Sequence, residues 1–118
     1  MTKKVLIVDD SVSIRAFIRN ALESGGYEVV GEATNGEEAI EMGFSLEPDY
    51  VTLDNVLPDM IGIDILKAWT EEGLSTNVII ISGVVQDKII DEGMKLGAKA
   101  YLIKPFTADK LLETINKI

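Results

Sequence analysis

Asp54 closes the run Asp49-Tyr50-Val51-Thr52-Leu53, Asp9 and Asp10 close the earlier run Val5-Leu6-Ile7-Val8, and Lys104-Pro105 closes the later run Ala100-Tyr101-Leu102-Ile103. Three carboxylates and one ammonium, each just after a strand-like segment, are ingredients of phosphate chemistry, because ligands of an open α/β sheet gather at the carboxyl ends of its strands. If the strands carrying Asp9, Asp10 and Asp54 are neighbours, like charges a few Å apart raise one another's pKa. Such a cluster calls for a cation, and oxygen ligands without His or Cys select a hard ion such as Mg²⁺. An ammonium held beside carboxylates binds a phosphoryl group as a point charge, and the following Pro105 makes the Lys104 position a rigid turn. Ser82, after Val78-Ile79-Ile80-Ile81, adds a hydroxyl at the same edge. Taken one at a time these residues are a helix cap, turn residues and a solvated lysine. Only their combination points to a site.

The elements that must position them are legible from hydrophobic pattern. Val5 to Val8, Val29 to Ala33, Tyr50 to Leu53, Val78 to Ile81 and Ala100 to Ile103 are short runs, mostly apolar and rich in β-branched residues. Strands buried on both faces read as continuous runs and not as alternation. Between them the apolar residues recur at three and four: Ile14, Phe17, Ile18, Ala21 and Leu22; Ala39, Ile40 and Phe44; Ile65, Leu66 and Trp69; Ile89, Ile90 and Met94; Leu111, Leu112 and Ile115. Gly25-Gly26, Pro48 and Gly97 mark where the first, second and fourth of these helices stop. Strands alternating with helices across short connections predict a parallel sheet covered on both faces. No linker or repeat interrupts the alternation, so the expectation is a single domain over residues 1–118 without an effector domain.

Composition narrows the chemistry further. With 118 residues the chain is long enough to bury about two thirds of its unfolded surface around one core. Neither cysteine nor histidine occurs, which removes disulfides, thiolate metal sites, cysteine nucleophiles and the commonest zinc ligand. The apolar run after Met-Thr-Lys-Lys is too short for a signal peptide or membrane span, so a cytoplasmic protein with no membrane partner is expected. A net charge of -9 argues against nucleic acid as a partner. That charge is uneven: residues 1–82 carry five Lys and Arg against fifteen Asp and Glu, whereas residues 83–118 carry six against five. The last third is thus a different electrical surface, suited to an acidic or amphipathic partner.

Asp-Asp after the first strand, Asp after the third with Pro58 four residues on and Gly62 beyond, Ser after the fourth and Lys-Pro after the fifth together resemble the response-regulator receiver domain. The resemblance spans essentially the whole chain and is nearest to single-domain chemotaxis regulators of the CheY type. It implies a flavodoxin-like (βα)5 three-layer sandwich with a parallel five-stranded sheet in the order 2-1-3-4-5. It also implies a switch of a two-component system, a phosphorelay component whose Asp54 takes a phosphoryl group from a histidine kinase. Asp10, Asp54 and the carbonyl of Val56 would ligate Mg²⁺ directly and Asp9 largely through water. Lys104, Ser82 and the Gly83 amide would hold the phosphoryl oxygens. Ser82 and Tyr101 would form the switch that reports phosphorylation to the face of helix four, strand five and helix five. An output protein would dock there, a flagellar motor switch component being the first candidate. Such a protein catalyses its own phosphorylation and dephosphorylation without turning over a separate substrate.

Some positions depart from the family pattern. Ile61 stands where an Asp or Asn often precedes the glycine, and Val56 and Val84 are apolar where many relatives are polar or charged. An apolar side chain does not orient the water that hydrolyses an acyl phosphate, so a long-lived phosphoryl state is expected. Trp69 falls on the third helix, away from the place of the reporter tryptophan in better known relatives. Rival readings are a lone receiver outside chemotaxis, a pseudo-receiver that only binds partners, an Asp-nucleophile phosphatase and a flavin carrier. Val56, two residues after Asp54, is not the second acid such a phosphatase wants, and Ser11-Val12-Ser13-Ile14 is not a glycine-rich phosphate loop.

Overall fold

A computed structural model describes residues 2–83 and 87–118. Five strands, β1 (Lys4–Val8), β2 (Glu28–Ala33), β3 (Tyr50–Asp54), β4 (Asn77–Ser82) and β5 (Ala100–Ile103), alternate with five helices, α1 (Val12–Ser24), α2 (Gly36–Leu46), α3 (Gly62–Glu71), α4 (Asp87–Lys95) and α5 (Ala108–Asn116). The strands form one sheet in the order β2-β1-β3-β4-β5, and every pairing is parallel. This is the parallel sheet that the residue pattern predicts, in the flavodoxin-like order that the resemblance to receiver domains implies.

The continuous apolar runs are explained by burial on both sides. Along β1, Val5 and Ile7 enter one core and Leu6 and Val8 the other, and β4 divides Ile79 and Ile81 from Val78 and Ile80 in the same way. One core packs Ile18 and Leu22 of α1 with Leu111 and Ile115 of α5, while the opposite core holds Ala39, Ile65, Leu66 and Trp69 from α2 and α3. α4 closes on this second side through Gly93, where a Cβ would meet Ile80 Cδ1 at 2.5 Å. Fully burying each of these Val, Leu and Ile side chains contributes about 1.5–3 kcal/mol. Among the described residues no helix is long and apolar enough to cross a membrane.

Helix starts follow local chemistry. Ser11 caps α1 by accepting the Ile14 amide at 3.3 Å, Asn35 caps α2 through the Glu38 amide at 2.9 Å, and Thr107 caps α5 through the Lys110 amide at 3.1 Å. The first cap is thus the serine and neither of the aspartates before it, while Asp9 Oδ1 accepts the Ser11 amide at 2.9 Å and so braces the turn that presents it. α3 begins differently. Ile61 occupies its cap position in an extended conformation and offers no side-chain hydrogen bond.

Candidate functional site at the carboxyl ends of the strands

Strand order decides what meets here. β1 and β3 are adjacent, with Val8 opposite Leu53, so Asp9 just after β1 and Asp54 at the end of β3 emerge side by side. β4 and β5 follow, with Asp54 opposite Ile81 and Ser82 opposite Ile103, which brings Ser82 and Lys104 to the same edge. The loop from Lys104 is tied back by its amide, which donates to the Ser82 carbonyl at 2.9 Å, and the Lys104–Pro105 peptide is cis.

Asp9, Asp10 and Asp54 each place a carboxylate oxygen within 4.8 Å of the others. The Lys104 ammonium lies 3.0 Å from Asp9 Oδ2 and 3.5 Å from Asp54 Oδ2, bridging the two. Asp9 is 1% exposed and Asp54 6%, whereas Asp10 faces solvent, so the cluster is a pocket with one open wall. Burial pushes the Asp54 carboxyl above its ordinary value and the neighbouring Asp9 charge pushes it further; Lys104 and the Val56 amide, at 3.3 Å from Oδ1, pull it part of the way back. One ammonium does not neutralise three carboxylates. An all-oxygen donor set with an excess of negative charge and one solvent-facing ligand fits a hard divalent cation that keeps some of its waters.

Ser82 is 1% exposed and Gly83 follows it with open space where a Cβ would stand. Tyr101 lies opposite Ile80 in the ladder, and Ser82 two residues further along β4, so the serine and the tyrosine share a face of adjacent strands. Tyr101 is half-buried against the core beneath α2, α3 and α4. The Val56 side chain is 59% exposed. Val84, expected to flank the acceptor on the other side, lies outside the described residues.

Two supporting groups escaped the sequence. Arg15 donates from Nη1 to the Asp9 carbonyl at 2.8 Å and from Nε to Glu32 at 3.0 Å, fixing the β1–α1 turn to the edge strand β2. Asp59 accepts the amides of Gly36 and Glu37 at 2.7 and 3.0 Å, so the loop after Asp54 holds the amino end of α2. Those two hydrogen bonds, that from Gly36 above all, keep the Asp59 carboxyl below its ordinary value. Neither partner is close in sequence, and a Pro-Asp dipeptide reads simply as a turn.

Comparison with known proteins gives a consistent result. The response regulator receiver domain matches residues 5–116. The chemotaxis protein CheY of Thermotoga maritima is 41% identical over all of this chain and 98% of its own length, and CheY of Bacillus subtilis is 39% identical over 99% and 98%. Among solved structures, the CheX-CheY-BeF3-Mg²⁺ complex of Borrelia burgdorferi superposes with a TM-score of 0.94 at 32% identity, covering 98% of this chain and 87% of the other.

Proposed function

The chain belongs to the response regulator receiver domain family and, homologous to CheY, is a phosphorylation-activated switch of two-component signalling in chemotaxis; from that premise we propose that Asp54 is its phosphoryl acceptor. The observation that carries this reading is the meeting of Asp9, Asp10 and Asp54 within 4.8 Å, with Lys104 bridging two of them. A carboxylate oxygen of Asp54 attacks the phosphorus of a phosphohistidine on a histidine kinase, the P–N bond breaks, and an acyl phosphate remains. Asp10, Asp54 and the Val56 carbonyl would hold Mg²⁺ directly and Asp9 through water. The ion supplies charge stabilisation for the transferring group, the principal need of phosphoryl transfer.

The remaining roles fall to the chain's own donors. Lys104, already between Asp9 and Asp54, pairs with a phosphoryl oxygen, while the Ser82 hydroxyl and the Gly83 amide donate to the others. The new group adds about -1.5 to -2 charges and strong acceptors, which draw Ser82 inward. Tyr101, on the same face of the next strand, turns into the space that Ser82 leaves. The change reaches the face of α4, β5 and α5, where Lys88, Lys95 and Lys99 are exposed. That face receives the output partner, with a component of the flagellar motor switch as the first candidate, and the exchange takes place in the cytoplasm. Acetyl phosphate with Mg²⁺ should add one phosphoryl mass to the intact protein, and Asp54→Asn should abolish the addition. Unchanged labelling of that variant would remove Asp54 from the role. Charge reversal at Lys88, Lys95 and Lys99 should weaken capture of the output protein by the beryllofluoride-loaded form, and unchanged capture would move the output surface elsewhere.

A further inference from the structure

We propose that the groove between α2 and α3, distinct from the face of α4, β5 and α5, docks a basic amphipathic helix of a partner protein. Ile40 and Phe44, one turn apart on α2, and Ala68 on α3 line an open depression of about 430 Å³ that also includes Glu71 and Glu72. Phe44 is 39% exposed, a large apolar side chain left partly in water. One such residue by itself is ordinary. Its setting is not.

The rim of this apolar strip is acidic throughout. Glu37 and Glu41, both exposed, stand three residues before Ile40 and Phe44 and are therefore their neighbours on the helix surface. Glu71 and Glu72 form the opposite side and are exposed as well. α2 contains no Lys or Arg, and the one cation of α3, Lys67, reaches towards α4, 3.6 Å from Glu92. Among the described residues, only Asp9, Asp10 and Asp54 converge closely enough to hold an ion, so these glutamates do not form a metal site.

The floor is preformed. Trp69 is buried beneath α2, its indole N–H donating to the Ile40 carbonyl at 3.3 Å, and Gly43 leaves room for the ring where any Cβ would strike it. A groove seated on a packed indole loses little freedom on binding, which favours affinity. Two apolar residues one turn apart accept the apolar stripe of a helix, and flanking carboxylates select Lys and Arg beside that stripe and set its register.

The probe is a synthetic helix of about 18 residues, long enough to hold its fold, with Leu on one side and Lys on the other. Its control carries Glu in place of Lys. Titrated into the full isotope-labelled chain, the Lys peptide should shift the amides of α2 and α3 and alter the emission of Trp69, whereas the Glu peptide should do neither. Glu71→Lys with Glu72→Lys, both on exposed positions, should weaken binding about tenfold or more. Phe44→Asp should abolish it with the helical circular dichroism retained. Shifts confined to the Asp54 site or to the α4–β5–α5 face, equal binding of both peptides, or indifference to the double reversal would each overturn the proposal.

Discussion

At the amino end of β3, Asp49 Oδ2 accepts the Lys4 amide at 2.8 Å, while the Asp49 main chain bonds to Lys4 on one side and Asn77 on the other. At the carboxyl end of the same strand, Asp54 shares its surroundings with two further carboxylates and a single ammonium. Five residues beyond, Asp59 binds two amides of α2. Residue type is constant across the three positions. What differs is whether the neighbours supply donors or more negative charge: Asp59 is held below its ordinary pKa by N–H groups, and Asp54 is raised by burial and by Asp9. A carboxylate surrounded by donors is stabilised in place, whereas Asp54, crowded by carboxylates and only partly offset by Lys104 and the Val56 amide, carries a cost to stability that a bound cation would relieve further.

The contrast is broken most directly by exchanging roles. Asp49→Asn should label with acetyl phosphate to within about twofold of the parent, since only one exposed hydrogen bond to the main chain changes. A loss of labelling as complete as that expected of Asp54→Asn would erase the difference between the two ends of the strand. Next in size is the lifetime of the acyl phosphate. Val56→Asn puts a polar side chain on an exposed position beside the acceptor. One hydrogen bond to the attacking water, about 1 kcal/mol, should speed dephosphorylation by several-fold to tenfold, read from phosphate release.

Stability measurements sharpen the comparison further. An acid whose folded pKa is raised binds more protons folded than unfolded between the two values, so its stability contribution falls as pH rises through that window. Asp54→Asn should therefore raise the urea midpoint of the metal-free protein at neutral pH, and saturating Mg²⁺ should remove that advantage by stabilising the parent. Ile61→Asp, at a cap position with no side-chain acceptor, should stabilise α3 by about 1 kcal/mol in the same assay. Asp59→Ala should lower Tm by a few degrees at neutral pH. Because the folded Asp59 pKa is depressed, its contribution is present above the unfolded value and lost as pH falls through the folded one. The gap between variant and parent should close on acidification, and a constant gap would assign the effect to packing.

Much of this was legible in the chain alone. Runs such as Val78-Ile79-Ile80-Ile81 announce a strand buried twice over, since no one-sided sheet tolerates four consecutive branched residues. Ile14, Ile18 and Leu22 announce α1 by their spacing, as Ile65, Leu66 and Trp69 announce α3. Less visible were contacts between residues far apart in sequence. Arg15 and Glu32 are seventeen positions apart and Asp59 and Gly36 twenty-three, and nothing local distinguishes them from other surface charges. The α1 cap illustrates the same limit at short range, because Asp9, Asp10 and Ser11 are all good cap residues and only the turn geometry selects Ser11.

Sequence by itself determined the inventory: five strands, five helices, and carboxylates, a hydroxyl and a lysine stationed at strand ends, since local periodicity and residue chemistry require no long-range information. Tertiary structure decided which of these meet. Placing β1 beside β3, with β4 and β5 next in line, turns four separated positions into one pocket where Lys104 spans Asp9 and Asp54. It also buries Asp54 while leaving Asp49 hydrogen-bonded at the opposite end. The physical reason is that charge interactions and desolvation depend on distance and solvent in three dimensions, and strand order, unlike strand identity, is set only when the helices pack.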